Sequence, residues 1–211
     1  MKKIKDLLDH IFIDGLSGMA QGLFATLIIG TIIQQIGTLI GGPRGDMIFA
    51  VGKVAAALTG AGIGVGVAAK FKESYLVVVS PATAGMVGAF ASKLLAGTVL
   101  VDGTMVFAGP GEPLGAFLAA YIGIECGHLV AGKTKVDILV TPIVTIGTGS
   151  LVGLLVGPGV SKIMTSLGAM INWGVEQQPF LMGIVVSVLM GMILTLPISS
   201  AALGIILNLS G

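Results

Sequence analysis

Three stretches of this chain are far longer than a soluble fold tolerates without an ionisable side chain. Residues 177–211 are 35 positions with no Asp, Glu, Lys, Arg or His, residues 15–43 are 29, and residues 138–161 are 24. About 20 apolar helical residues cross a hydrocarbon core roughly 30 Å thick, and inside lipid every backbone polar group must be bonded within the chain. Runs of this kind therefore demand membrane-crossing helices. The last run is too long for one span and holds Pro197 where a second element would begin. A fourth run, residues 74–92, has 19 positions and is just sufficient.

Composition agrees: 55% of residues are hydrophobic and 10% charged, against about a quarter charged in an average soluble domain. The chain reads as an all-α, polytopic integral membrane protein, one domain over residues 1–211. A net charge of +1 offers no basic face to nucleic acid, and the single cysteine, Cys126, excludes an intrachain disulfide. Asp6, Asp9 and Asp14 interrupt any secretory apolar segment near the start. Instead Ile4, Leu7, Leu8 and Ile11 recur at helical spacing beside Lys2, Lys3 and Lys5, which predicts an amphipathic lead-in helix over 1–15 against anionic headgroups.

Six spans are expected, at about 16–40, 47–69, 75–99, 114–132, 138–157 and 179–197. If each crosses, Lys2, Lys3 and Lys5, then Lys70 and Lys72, then Lys133 and Lys135 all fall on one side, which by the positive-inside rule is cytoplasmic, together with the N-terminus. Residues 101–113 are rich in Gly and Pro and read as a loop that can dip inward. The GPG at 157–159 is expected to break the fifth span. After it, Ile163, Met164, Leu167, Met170 and Ile171, with Trp173, outline an interfacial helix over 158–177. Residues 198–211 are too few to span and suit a re-entrant or truncated C-terminal element, so the domain is expected to be the N-terminal part of a longer one.

Glycines four apart, Gly60 with Gly64, Gly62 with Gly66, Gly123 with Gly127, and Gly149 with Gly153 and Gly157, have the spacing that lets helix backbones approach in lipid. Ionisable groups inside spans are costly and are functional candidates by default. Glu125 and His128 are three apart on one helix face, with Tyr121 a turn before. Three readings stand for them: a site that binds a polar solute or moves a proton, a pair whose members neutralise each other, or groups near the cytoplasmic end that reach water. Lys53 and Lys93 are placed to snorkel to the interface. Gln21, Gln34 and Gln35 lie in the first span, where amides bond across helices or to a sugar hydroxyl. Glu112 sits in a Gly/Pro loop at a span entrance, where a carboxylate and backbone amides can meet a solute. No metal-ligand set, cofactor fingerprint or nucleophile motif occurs in a supporting context, so neither metal nor cofactor is expected, nor a self-contained catalytic site.

The order of these pieces resembles enzyme IIC, the membrane-embedded sugar-translocating component of fructose-type phosphoenolpyruvate-dependent phosphotransferase systems. DGLSGMAQGLFATLIIG (14–30) looks like the first span of that family. KVAAALTGAGIGVGVAAKFKESYLVVVSPATAGMVGAF (53–90) is similar to its second span, short cytoplasmic loop and third span, and EPLGAFLAAYIGIECGHLVAGK (112–133) to its fourth. VTPIVTIGTGSLVGLLVGPGVSKIMTSL (140–167) and LMGIVVSVLMGMILTLPISSAAL (181–203) look like the segments that follow. The subgroup it resembles is the one described as perfringolysin O regulator-like. The family's acidic sugar-binding motif lies in a portion beyond where this sequence stops, GPGEP at 109–113 is not that motif, and no soluble phosphoacceptor module is present.

The resemblance implies a bacterial inner-membrane transporter component, expected as a homodimer, that binds a sugar or related polar solute and works by alternating access with soluble phosphotransferase subunits as partners. Glu125, His128, Glu112, Gln21 and Tyr121 are the expected substrate-binding or gating residues. The competing expectation is a membrane-bound regulatory or interaction protein that keeps the enzyme IIC fold without transport.

Overall fold

A computed structural model of the chain describes residues 9–101, 103–177, 180–181, 183–185 and 187–188. The expected sixth span at 179–197 falls largely outside the described residues, and the element after Pro197 falls wholly outside them. The first helix, α1, runs over His10–Ile40 and contains two π-helical stretches, His10–Gly15 and Phe24–Ile28. Residues 1–8 of the lead-in helix expected over 1–15 lie outside the described residues; from His10 the helix runs on through Gly15, which has helical dihedrals (φ −61°, ψ −52°).

Gly41 and Gly42, at φ +65° and +64°, turn the chain at little cost because they lack Cβ. Helix α2, Gly42–Ala57, then returns along the second half of α1. Glycine sets the separation of this hairpin. A Cβ on Gly37 would lie 2.7 Å from the carbonyl oxygen of Gly45, and one on Gly30 would lie 2.8 Å from that of Gly52. The expected span at 47–69 is not one rod, since α2 and α3 (Thr59–Lys70) meet at a 53° bend. Leu58 leaves helical geometry there (φ −85°, ψ 13°), and buried Thr59 donates from Oγ1 to the Ala56 carbonyl at 2.6 Å, satisfying a group that the break frees.

The expected span at 75–99 is likewise shorter than foreseen. Helix α4, Tyr75–Ala89, ends at Phe90 (φ −111°, ψ 16°), and α5, Ala91–Leu95, follows. The Gly/Pro segment is a loop, as anticipated, but one organised by a small antiparallel ladder in which β1 (Leu100–Val101) pairs Leu100 with Met105 and Val101 with Thr104 of β2 (Thr104–Met105). Its return is pinned to the bundle by the Glu112 N–H, which donates to the Ala89 carbonyl at 2.7 Å, and by Phe107 against Phe90 with ring centroids 5.0 Å apart.

Helix α6 spans Pro113–Val130 and α7 spans Asp137–Gln177, 41 residues that include Pro142 and Pro158. The break expected at GPG is absent, so 158–177 prolongs α7 instead of forming a separate element. Proline costs one N–H and crowds the preceding turn, and the glycines on either side of Pro158 carry no Cβ to add to that crowding. Among the described residues, three helices are long and apolar enough to cross a membrane (His10–Ile40, Pro113–Val130 and Asp137–Ser166). The bent pair makes a fourth, and Tyr75–Ala89 is apolar but shorter. Helix α3 sits at the centre, with Ile63, Val67 and Ala68 fully buried against Leu23, Val77, Phe117 and Ile124.

Candidate functional site

The glycine spacing acts as packing, and it does so on two faces of one helix. Gly62 and Gly66 of α3 face Gly22 and Gly18 of α1, while Gly60 and Gly64 face Gly85 and Pro81 of α4. Each contact is backbone against backbone: a Cβ on Gly18 would stand 2.7 Å from the Val67 Cα, and one on Gly60 would stand 2.7 Å from the Gly85 carbonyl oxygen. On α6, Gly123 and Gly127 meet Thr145 of α7, and Gly149 and Gly153 of α7 pack back on Ala119. The site residues on α6 are thus carried by helices held too close for intervening side chains.

At the end of the bundle where α3 and α6 finish, two histidine–carboxyl contacts join separate elements. His10 Nε2 donates to Glu125 Oε1 at 3.2 Å, and its ring stacks on Phe71 with centroids 4.0 Å apart. Tyr121 meets Phe71 edge-on at 6.1 Å and Phe117 at 6.0 Å, and Phe117 in turn fills the space over Gly15. His128 Nδ1 lies 2.9 and 3.0 Å from the two carboxyl oxygens of Glu73. Asp137 closes the neighbouring 131–136 loop by accepting from the Gly132 N–H at 2.9 Å and from Thr141 Oγ1 at 2.6 Å.

Glu125 and His128 therefore do not neutralise each other, which corrects the pairing reading: each is matched to a partner from a different element. Glu73 is the most enclosed of the four, 13% exposed at its side chain against 65% for His128. His10, Phe71 and Glu73 are members of this cluster that sequence reasoning missed. A histidine in an amphipathic N-terminal stretch and a glutamate in a short loop carry no local mark of the helix they will touch.

Two expected residues lie apart from the cluster. Glu112 stands at the other end of α6, 13 residues from Glu125 and so about 20 Å away at 1.5 Å per residue. There it caps the helix by accepting from the Leu114 N–H at 3.4 Å. Burial pushes its carboxyl above the ordinary range, and the bond from Leu114 offsets part of that. Gln21 is exposed on α1, away from both groups. Lys93 Nζ donates to the Ala108 carbonyl at 3.0 Å in an exposed contact. Among the described residues, no three His, Cys, Asp or Glu side chains gather where they could hold a metal ion.

A partly exposed polar cluster thus sits on helices packed through glycine, in a chain with several membrane-long helices. The comparisons point the same way. No curated protein and no solved structure matches the sequence. The profile of the family described as "Phosphotransferase system, EIIC" matches residues 13–211, all but the first twelve positions. The chain accordingly belongs to the phosphotransferase system EIIC family, and so to the membrane components of bacterial sugar transport.

Proposed function

We propose that this protein is the translocating component of a phosphotransferase-type system, moving a sugar or related polar solute by alternating access, with the cluster around Glu125 and His128 as its cytoplasmic gate. The observation that carries the reading is the pair of cross-element contacts: Glu125 on α6 with His10 on α1, and His128 on α6 with Glu73 after α3. Contacts of this type are partly exposed and individually weak, so a small rearrangement exchanges them for water. The glycine-lined faces beneath them meet largely through backbone and small side chains such as Thr26, Ala84 and Thr145, which favours sliding over repacking. Tyr121 and Phe71 line the same end, Glu112 and Gln21 are assigned to the opposite end and flank of the route, and the cytoplasmic placement follows from Lys70, Lys72, Lys133 and Lys135 beside the cluster.

Uptake of radiolabelled sugars into proteoliposomes, with and without the phosphorylated carrier proteins, tests this. Solute accumulation that falls at least tenfold in Glu125→Gln and Glu73→Gln proteins is expected. No movement of any solute by the intact protein, or undiminished movement by both variants, would overturn it.

A further inference from the structure

A second polar region lies outside that cluster. Between the second half of α1, α2 and the 106–110 loop is an open cavity of about 490 Å³, walled by Thr31, Gln34, Lys53, Phe107 and the backbone of Ala108 to Pro110. Among the described residues that line it, the one ionic group is the Lys53 ammonium. Among the described residues the ion pairs are His10–Glu125 and His128–Glu73, so Lys53 has no carboxyl within 4.0 Å; its nearest recorded partner is the Phe49 ring, 5.7 Å from Nζ. An ammonium set in an apolar, membrane-length helix pair is costly unless something pairs with it.

The other polar side chains lining the cavity can bond hydroxyls. Gln34 spends one N–H on the Gly30 carbonyl at 3.3 Å, which leaves a second N–H and Oε1, and Thr31 spends its O–H on the Leu27 carbonyl at 2.8 Å, which leaves oxygen lone pairs. One cation, two side chains able to bond hydroxyls and the ring of Phe107 match a small solute with one negative charge, several hydroxyls and an apolar C–H face.

We infer that this cavity binds a polyhydroxy monocarboxylate, a sugar acid, with Lys53 pairing its carboxylate and Gln34 and Thr31 accepting from its hydroxyls. A neutral sugar would leave Lys53 unpaired. A phosphate ester dianion would bring a second negative charge that no described residue of the cavity meets. The inference rests on the reading of the chain as a solute translocator and specifies what it takes.

The test uses the full chain in lipid nanodiscs, with calorimetric binding of gluconate and glucuronate compared with glucose, sorbitol and glucose 6-phosphate. Gluconate or glucuronate is expected to bind at least tenfold more tightly than the neutral sugars and the phosphate ester. Lys53→Gln should weaken that binding at least tenfold, Lys53→Arg should keep it within about threefold, and both variants should elute as the parent does. Equal or weaker binding of the acids, binding of none of the five, or binding indifferent to Lys53→Gln overturns the assignment.

Uptake separates this from the broader reading. Movement of neutral sugars but not acids sinks the cavity assignment and leaves the translocator standing. Lys53-dependent binding of acids with no movement of any solute does the reverse.

Discussion

His10 Nε2 reaches Glu125 Oε1 across 3.2 Å and 115 positions of sequence, tying α1 to α6 where both side chains keep about two-fifths of their surface exposed, 39% and 43%. A contact so open to solvent adds little to stability, typically under about 1 kcal/mol. A double-mutant cycle of His10→Ala and Glu125→Gln, followed by thermal unfolding in detergent, should give a coupling energy below about 1 kcal/mol. Initial uptake rates of the same proteins should fall at least tenfold. A coupling several times larger, with uptake intact, would make the contact a structural clamp and not a gate.

Glycine contacts in the bundle should be unforgiving. Gly22→Ala places a methyl against the Gly62 backbone, which cannot yield as a flexible side chain can, and a loss of about 1–3 kcal/mol is expected. Gly147, inside α7, has nothing within 4 Å of an added Cβ. Gly147→Ala should raise stability by up to about 1 kcal/mol through helix propensity alone. Melting temperatures of the two variants check both signs at once.

Glu112 carries a pH signature. Its carboxyl titrates above the ordinary value when folded, so the folded protein holds its proton over a range where the unfolded chain has lost it. Stability contributed by the protonated form is complete below the unfolded value and is lost as pH rises through the folded one. Glu112→Gln keeps an acceptor for the Leu114 N–H without the desolvated charge. It should unfold at a higher temperature than the parent at pH 7, and the gap should close as pH falls below about 4. A gap that is constant with pH would assign the gain to packing.

Thr145 offers a gain of another kind. It is fully buried, and its Oγ1 has no hydrogen-bond partner among the described residues. A buried hydroxyl left unmatched costs about 1–3 kcal/mol. Thr145→Val preserves shape and removes the hydroxyl, so unfolding should shift upward by about 1 kcal/mol; a downward shift would show that the hydroxyl is bonded after all.

Much of the scaffold was legible because its causes are local. Charge-free length announced α1, α4 and α7, and glycine spacing announced where α3 would be approached, since close contact makes the same demand at each turn. The break at Leu58 was not legible, as AALTGAG holds no proline and the bend depends on what surrounds it. Pro158 misled in the opposite direction: a rule drawn from exposed helices predicts a stop, whereas Gly157 here packs on Ala91 with room for no more than hydrogen and α7 carries on. For the site, Tyr121, Glu125 and His128 were identifiable by their cost inside a span. Their partners His10, Phe71 and Glu73 were not, because sequence separation hides a contact that only the packing of α1 and α3 against α6 creates.

The length of α1 has a consequence for the bilayer around it. Thirty-one residues at 1.5 Å each make a rod of about 46 Å, and the hydrocarbon it must cross is about 30 Å deep. Upright, a third of it would stand clear of the acyl chains, with Ile11, Phe12 and Ile13 between the polar His10 and Asp14 at one tip and Leu39 and Ile40 at the other. A helix longer than the hydrocarbon is accommodated by leaning, by thickening the lipid or by setting its polar tip among the headgroups, and His10 sits at that tip. Acyl-chain length then becomes an input to the His10–Glu125 contact: a thicker membrane rights the helix and a thinner one lays it over, so the contact should differ in lipids of different chain length.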